Sequence, residues 1–185
     1  AQVALLVLSD LPPEVATAAR RCGLLPWFTP EIIAALLPDA SPPTVEEAVA
    51  TITTLPFVEQ LPWGYTFHLT THQGLRTQQP LAEIQAAYAA ATPLWLEDWD
   101  NDEAAVAAVC GLVIGGDLEN ARERLDDLLR RLAGDEDWNA VVGLYNTLEA
   151  INALATAPLA LTDLDTFARG LAHQELQDYA AALAD

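Results

Sequence analysis

The chain has no lysine, no methionine, two serines and two cysteines among its 185 residues. Each shortage closes a route. Without lysine there can be no G-x-x-x-x-G-K-[ST] phosphate loop, so P-loop nucleotide hydrolysis by this chain alone is excluded. Ser9 and Ser41 stand outside any G-x-S-x-G setting and read as helix-start capping or loop residues rather than nucleophiles. Cys22 and Cys110 lie far apart, each within an apolar helical pattern. They read as buried reduced thiols rather than a disulfide, which points to the cytoplasm. The longest apolar run, Ala104 to Gly116, falls short of the roughly 18 residues a membrane-spanning helix needs. A sequence that starts at Ala1 and lacks methionine reads either as a piece of a longer polypeptide or as a chain that has lost its initiator.

What is plentiful is acid and small apolar side chains. The chain carries 27 carboxylates against 8 arginines, a formal charge of −19. Such a surface repels the phosphates of nucleic acid, which need cations to neutralise them, and equally repels anionic membranes. Basic or neutral proteins are the partners it suits. Apolar residues make up 52% of the sequence and are dominated by alanine and leucine, a bias towards helix. A chain of this length buries about 70% of its unfolded surface, enough for one sizeable core or two small ones.

Along the chain, three helices are expected first. Pro12 and Pro13 suit the first turn of a helix running to about Cys22. Thr29-Pro30 starts a second, with Ile32, Ile33, Leu36 and Leu37 on its apolar side. Thr44 and Glu47 form a capping box for a third, reaching Thr54. The period then changes. Phe57 to Leu61 and Tyr65 to Leu69 flank Pro62-Trp63-Gly64 and predict a β-hairpin. Helices return at Leu81 to Ala91, with Trp95 and Trp99 on an acidic connector, and at Glu103 to Ile114, closed by Gly115-Gly116. Asp117 caps the next helix, whose stripe is Leu118, Ala121, Leu125, Leu128 and Leu132. Trp138 to Ile151 forms another, and Thr162 with Asp165 opens the last.

Chemistry-bearing clusters are few. His68 and His72 are four apart, but His68 falls on the second strand and no third metal ligand accompanies them. From Asp98 the acidic run fails the EF-hand pattern, with Glu103 at the glycine position and Val109 at the glutamate position; it reads as an acidic helix start. No pair of carboxylates stands out for acid–base work. Trp27, Trp95 and Trp138 suit cores, whereas Trp63, at the hairpin tip, is a candidate interaction residue. The third helix carries Glu46 and Glu47 and no cation, so DNA binding through it is excluded.

Two resemblances organise these observations. Gly116-Asp117-Leu118-Glu119-Asn120-Ala121-Arg122, and Gly170-Leu171-Ala172-His173 with Leu176-Gln177-Asp178-Tyr179 and Ala182, resemble the tetratricopeptide repeat, a helix–turn–helix unit. Ala121 and Ala182 are 61 positions apart, against the 68 of two regular repeats, so the array is irregular and its last repeat is cut short. The helical opening, Leu55-Pro56-Phe57-Val58-Glu59 and Tyr65-Thr66-Phe67-His68 resemble the winged-helix segment of STAND signalling ATPases, the group that includes NB-ARC proteins. That resemblance implies that His68 faces the phosphate of an adenine nucleotide held by an ATPase domain outside this chain. Leu69 replaces the aspartate of the family's Met-His-Asp motif. The expected fold is mainly α: a winged-helix-like unit with a small β-hairpin at 1–78, then a tetratricopeptide-like helical array at 81–185. The expected function is a non-catalytic regulatory, scaffold or protein-interaction segment. It needs no cofactor of its own, and its partner is a protein or its own missing ATPase domain. The competing expectation is a free-standing acidic adaptor that binds peptides or a partner protein on a helical surface.

Overall fold

The computed structural model describes residues 2–182. They are mainly helical, with one small antiparallel sheet, and the chain divides into two compact units, Ala1–Glu97 and Asp98–Asp185.

In the first unit, helices α1 (Gln2–Ser9), α2 (Pro13–Cys22), α3 (Pro30–Ala35) and α4 (Pro42–Ile52) precede strands β1 (Val58–Leu61) and β2 (Gly64–Phe67). Helix α1 was not expected. Ser9 closes it, its hydroxyl donating to the Leu6 carbonyl, so this serine ends a helix instead of starting one. Prolines start the next three helices because a missing N–H costs nothing in a first turn. Thr29 caps α3 as expected, its side chain accepting from the Ile32 amide. Helix α4 begins two residues before Thr44, with Ser41 at the cap position, so the expected Thr44–Glu47 box does not form. Pro42 and Pro43 explain the shift, since their fixed φ is already helical.

The hairpin pairs Val58 with Phe67 and Leu61 with Gly64 around a two-residue Pro62-Trp63 turn. A third extended segment joins it: Phe28 and Tyr65 exchange both backbone hydrogen bonds at 2.8 Å. Gly64 permits this approach, because a Cβ there would lie 2.6 Å from the Phe28 carbonyl oxygen. Phe57, Phe28 and Phe67 pack around the hairpin with ring centroids 5.5 to 5.8 Å apart.

The expected second strand to Leu69 stops at Phe67, and helix α5 (Leu69–Arg76) comes directly after it. Helix α6 (Leu81–Glu97) runs past Ala91 and through Pro93, so Trp95 is helical and not on a connector. Burial holds this stretch together. Trp95 is 1% exposed and meets Trp27 at 5.7 Å and Tyr88 at 5.8 Å. Helix α6 packs on α2 and α3, so the first compact unit ends at Glu97 and not near 78.

The second unit holds α7 (Asp102–Gly115), α8 (Leu118–Gly134), α9 (Trp138–Asn152), α10 (Asp163–Glu175) and the short α11 (Tyr179–Ala182). Helix α7 is buried along most of its length and packs on both α8 and α9, the position of a helix apolar on all sides. Three of the turns share one construction. Gly116, Glu136 and Gln177 adopt positive φ of 81°, 57° and 62°. After each stands an aspartate, and Asp117, Asp137 and Asp178 accept from the amides of Asn120, Ala140 and Ala181. Each aspartate's own N–H reaches back five residues, to Leu112, Leu132 and His173. A left-handed residue ends one helix and an aspartate starts the next, satisfying orphan groups of both. Trp138 comes just after the second of these turns and is half-buried, not the core residue expected.

Candidate functional site

The residues singled out in sequence lie at the two ends of the hairpin and on helix α5. Trp63 sits in the two-residue turn, half-buried, with its indole N–H enclosed and lacking an acceptor. His68 sits at the other end of β2, a four-residue strand of about 13 Å. The two therefore occupy opposite ends of the hairpin and form no common site. His68 occupies the cap position of α5 instead of a strand. Its N–H donates to the Phe57 carbonyl at 2.9 Å, and its own carbonyl accepts from the amides of Thr71 and His72. This backbone anchoring leaves the imidazole exposed, with exposed Leu69 next to it.

His72, four residues on, has a different environment. It is half-buried, 3.3 Å from Arg76 Nη1 and hydrogen-bonded to the Gly23 backbone. Burial, aided by the Arg76 charge, lowers its pKa to about 4, so the ring is neutral at ordinary pH. Leu75 fills the space beside Gly23, where a Cβ would lie 2.3 Å from its Cδ1. Helix α5 is thus seated on the end of α2 through His72 and Leu75. Sequence reading missed it because Thr70, Thr71 and Gly74 favour helix weakly. The His68–His72 spacing does fall across a helix start, yet no group of three or more metal-ligating side chains exists among the described residues.

The second unit carries a buried polar cluster that no motif announced. Asp165 is 2% exposed and accepts from Arg122 Nη1 at 2.8 and 3.1 Å, from Tyr145 Oη at 3.3 Å, and from the Thr162 hydroxyl at 2.8 Å. The Thr162 amide completes the set, giving the expected capping box. Burial works against ionisation of Asp165, but Thr162 and then Arg122 outweigh it and hold its carboxyl below the usual range. Burial and the neighbouring carboxylate push the Tyr145 phenol up. Both oxygens of the Asp165 carboxylate are engaged, by donors from α8, α9 and the start of α10, so the cluster is a structural pin. A signal existed for Asp165, the capping box, but none for Arg122, 43 positions away.

Elsewhere the expected structural roles hold. Asn101 Oδ1 accepts from the Glu103 and Ala104 amides, so the acidic run does start a helix. Trp99 lies under the Arg124 guanidinium at 4.8 Å, with Arg131 at 5.7 Å, and donates to Asp127. Arg131 Nη2 and Asp102 Oδ1 stand 2.8 Å apart as an ion pair without hydrogen-bond geometry. Cys22 and Cys110 are both buried and not joined in a disulfide, and burial pushes the Cys22 thiol up. No helix among the described residues is long and apolar enough to cross a membrane. Compared with known protein families, curated proteins and solved structures, the chain matches none of them.

Proposed function

We propose that this chain is a non-catalytic regulatory or protein-interaction module, and that its first unit docks on a nucleotide-binding domain of the STAND type. The observation that carries the reading is Leu69, 68% exposed immediately beside exposed His68 at the exit of the hairpin. Leu69 is the apolar side chain that the docked domain would cover. The order of elements supports the same reading: helix α2, the Phe28 segment, helices α3 and α4, then the hairpin, which is the sequence of a winged-helix unit. His68 is the residue that would face a nucleotide phosphate brought by the docked domain. Its ring is exposed and so accessible to one, whereas Leu69, in place of the family's aspartate, offers no polar contact. The three alike turns of the second unit support a helical array related to tetratricopeptide repeats, with uneven spacing.

The size of the native polypeptide tests this reading. An immunoblot of source cells with an antibody against this chain is expected to give a band several times larger than 19.9 kDa. A band near 20 kDa would leave the free-standing adaptor as the better account. The purified chain is expected to hydrolyse no nucleotide, and turnover above background would overturn the non-catalytic reading.

A further inference from the structure

The side chains of α10 face two ways. Asp165 and Ala172 are buried at 2% and 0% exposure, on the side that packs against α9. Leu164, Phe167 and Leu171 recur at i, i+3 and i+7 and so line a neighbouring face of the same helix. Leu164 is 71% exposed and Phe167 67%, while Leu171 is half-exposed. Ala168, between them on that face, adds no charge. This rotation of the helix is held in place, because the bonds from Arg122, Tyr145 and Thr162 to Asp165 grip its first turns.

Other helices of the unit show what such a face is for. Helix α7 is covered by α8 and α9, and α9 by α7, α8 and α10. Helix α10 packs on α9 and on α11, whose four residues extend only about 6 Å. Among the described residues, its outer face has no neighbour like those of α7 and α9. The charge around it narrows the choice of neighbour. Asp163 and Glu175 lie at the two ends of α10, and Arg169, the helix's one arginine, is paired with Glu149 and lies over the Tyr145 ring. A second copy would bring the same acids to the same place, in a chain already at −19.

We propose that the Leu164–Phe167–Leu171 face of α10 seats an amphipathic α-helix whose apolar stripe is flanked by lysine or arginine. This surface lies in the second unit, and its argument does not depend on the reading of the hairpin. The test uses a fluorescently labelled synthetic peptide of leucine and lysine arranged with a helical stripe, and a scrambled peptide of identical composition. Binding is read by anisotropy at 150 mM salt, about an 8 Å screening length. The striped peptide is expected to bind at least tenfold more tightly than the scrambled one. Phe167→Glu is expected to remove at least tenfold of that affinity, Phe167→Ala a smaller part, and Leu6→Glu, at an exposed leucine of the first unit, none. Circular dichroism establishes that each variant is folded. Equal binding of both peptides would reduce the effect to charge attraction and overturn the proposal. So would absence of binding, or indifference to Phe167→Glu. Sedimentation showing a dimer that Phe167→Glu converts to monomer would overturn it too, by giving the face to a second copy.

Discussion

The first unit carries nine carboxylates and three arginines, the second eighteen and five, and the two are held together by different means. Aromatic rings and backbone bridges dominate the first: Phe28, Phe57 and Phe67 around the hairpin, and Trp27 against Trp95 of α6, which also meets Tyr88. In the second, arginines fasten the joints. Arg122 links α8 to α10, Arg131 links α8 to the start of α7, and Arg169 links α10 to α9. Arg124 and Arg130 are also engaged, with Trp99 and Asp127. With eighteen acids to five arginines, the second unit fixes the joints of its apolar core through a few specific pairings. The most buried of these pairings matters most, because exposed ion pairs contribute little in water.

That contrast can be broken most directly at Asp165. Replacing it with alanine leaves Arg122 without its buried partner and is expected to cost about 3–5 kcal/mol, read as a lowered urea midpoint of the Trp99 and Trp138 signals. An unchanged midpoint would mean that the pin is ornamental and that α10 is held by packing alone.

Acid should separate the units next. His72 is neutral in the fold because its pKa is lowered to about 4. Its contribution is fully present above the unfolded value near 6.5 and is lost as pH falls through that value towards 4, reaching about 3 kcal/mol at most. The carboxyl of Asp165 is also lowered, so its contribution is present above the unfolded carboxylate range and is lost only at more acid pH. Stability measured from pH 7 to 5 is therefore expected to fall in the first unit and hold in the second. His72→Gln should flatten that slope, and a slope that survives the substitution would assign it to another group.

A smaller effect is expected at the hairpin. Gly64→Ala forces a Cβ against the Phe28 carbonyl and should cost about 1–3 kcal/mol. Hydrogen exchange of the Phe28 and Tyr65 amides should quicken, since both bridge bonds loosen together. Smallest is the change at the turns of the second unit. Glu136→Gly and Gln177→Gly relieve side chains held at positive φ and should each stabilise by roughly 0.5–1 kcal/mol. Gly116→Ala should destabilise by about 1–2 kcal/mol. If all three changes were neutral in thermal melts, the shared turn geometry would not be contributing to stability.

Much of the local architecture could be read in the residues. Caps at Thr29, Asp117 and Thr162, the hairpin around Trp63, and the stripe of α8 all fall where expected, because each depends on chemistry within a few positions. The failures share a cause as well. Helix α5 has weak propensity and is held by His72 and Leu75 reaching Gly23, about fifty positions earlier. Helix α6 continues past Pro93 because Trp95 is drawn into the core beside Trp27. The left-handed turn could be foreseen at Gly116 but not at Glu136 or Gln177, where an ordinary residue accepts the strain that glycine avoids. For the candidate sites, Trp63 at the hairpin tip and His68 towards the far end of the second strand could be placed from the sequence, but the helix that His68 caps could not.

By itself, then, the sequence determined what short-range physics controls: a helical bias from alanine and leucine, helix starts at prolines and caps, an acidic surface, and the impossibility of a lysine-bearing phosphate loop. The tertiary structure alone decided which polar groups share a buried site and which apolar groups stay outside. Arg122 meets Asp165 because α8, α9 and α10 pack together, and that meeting turns Leu164 and Phe167 towards solvent. Both outcomes depend on contacts between segments far apart in the chain, where no residue pattern states in advance which partner will be nearest.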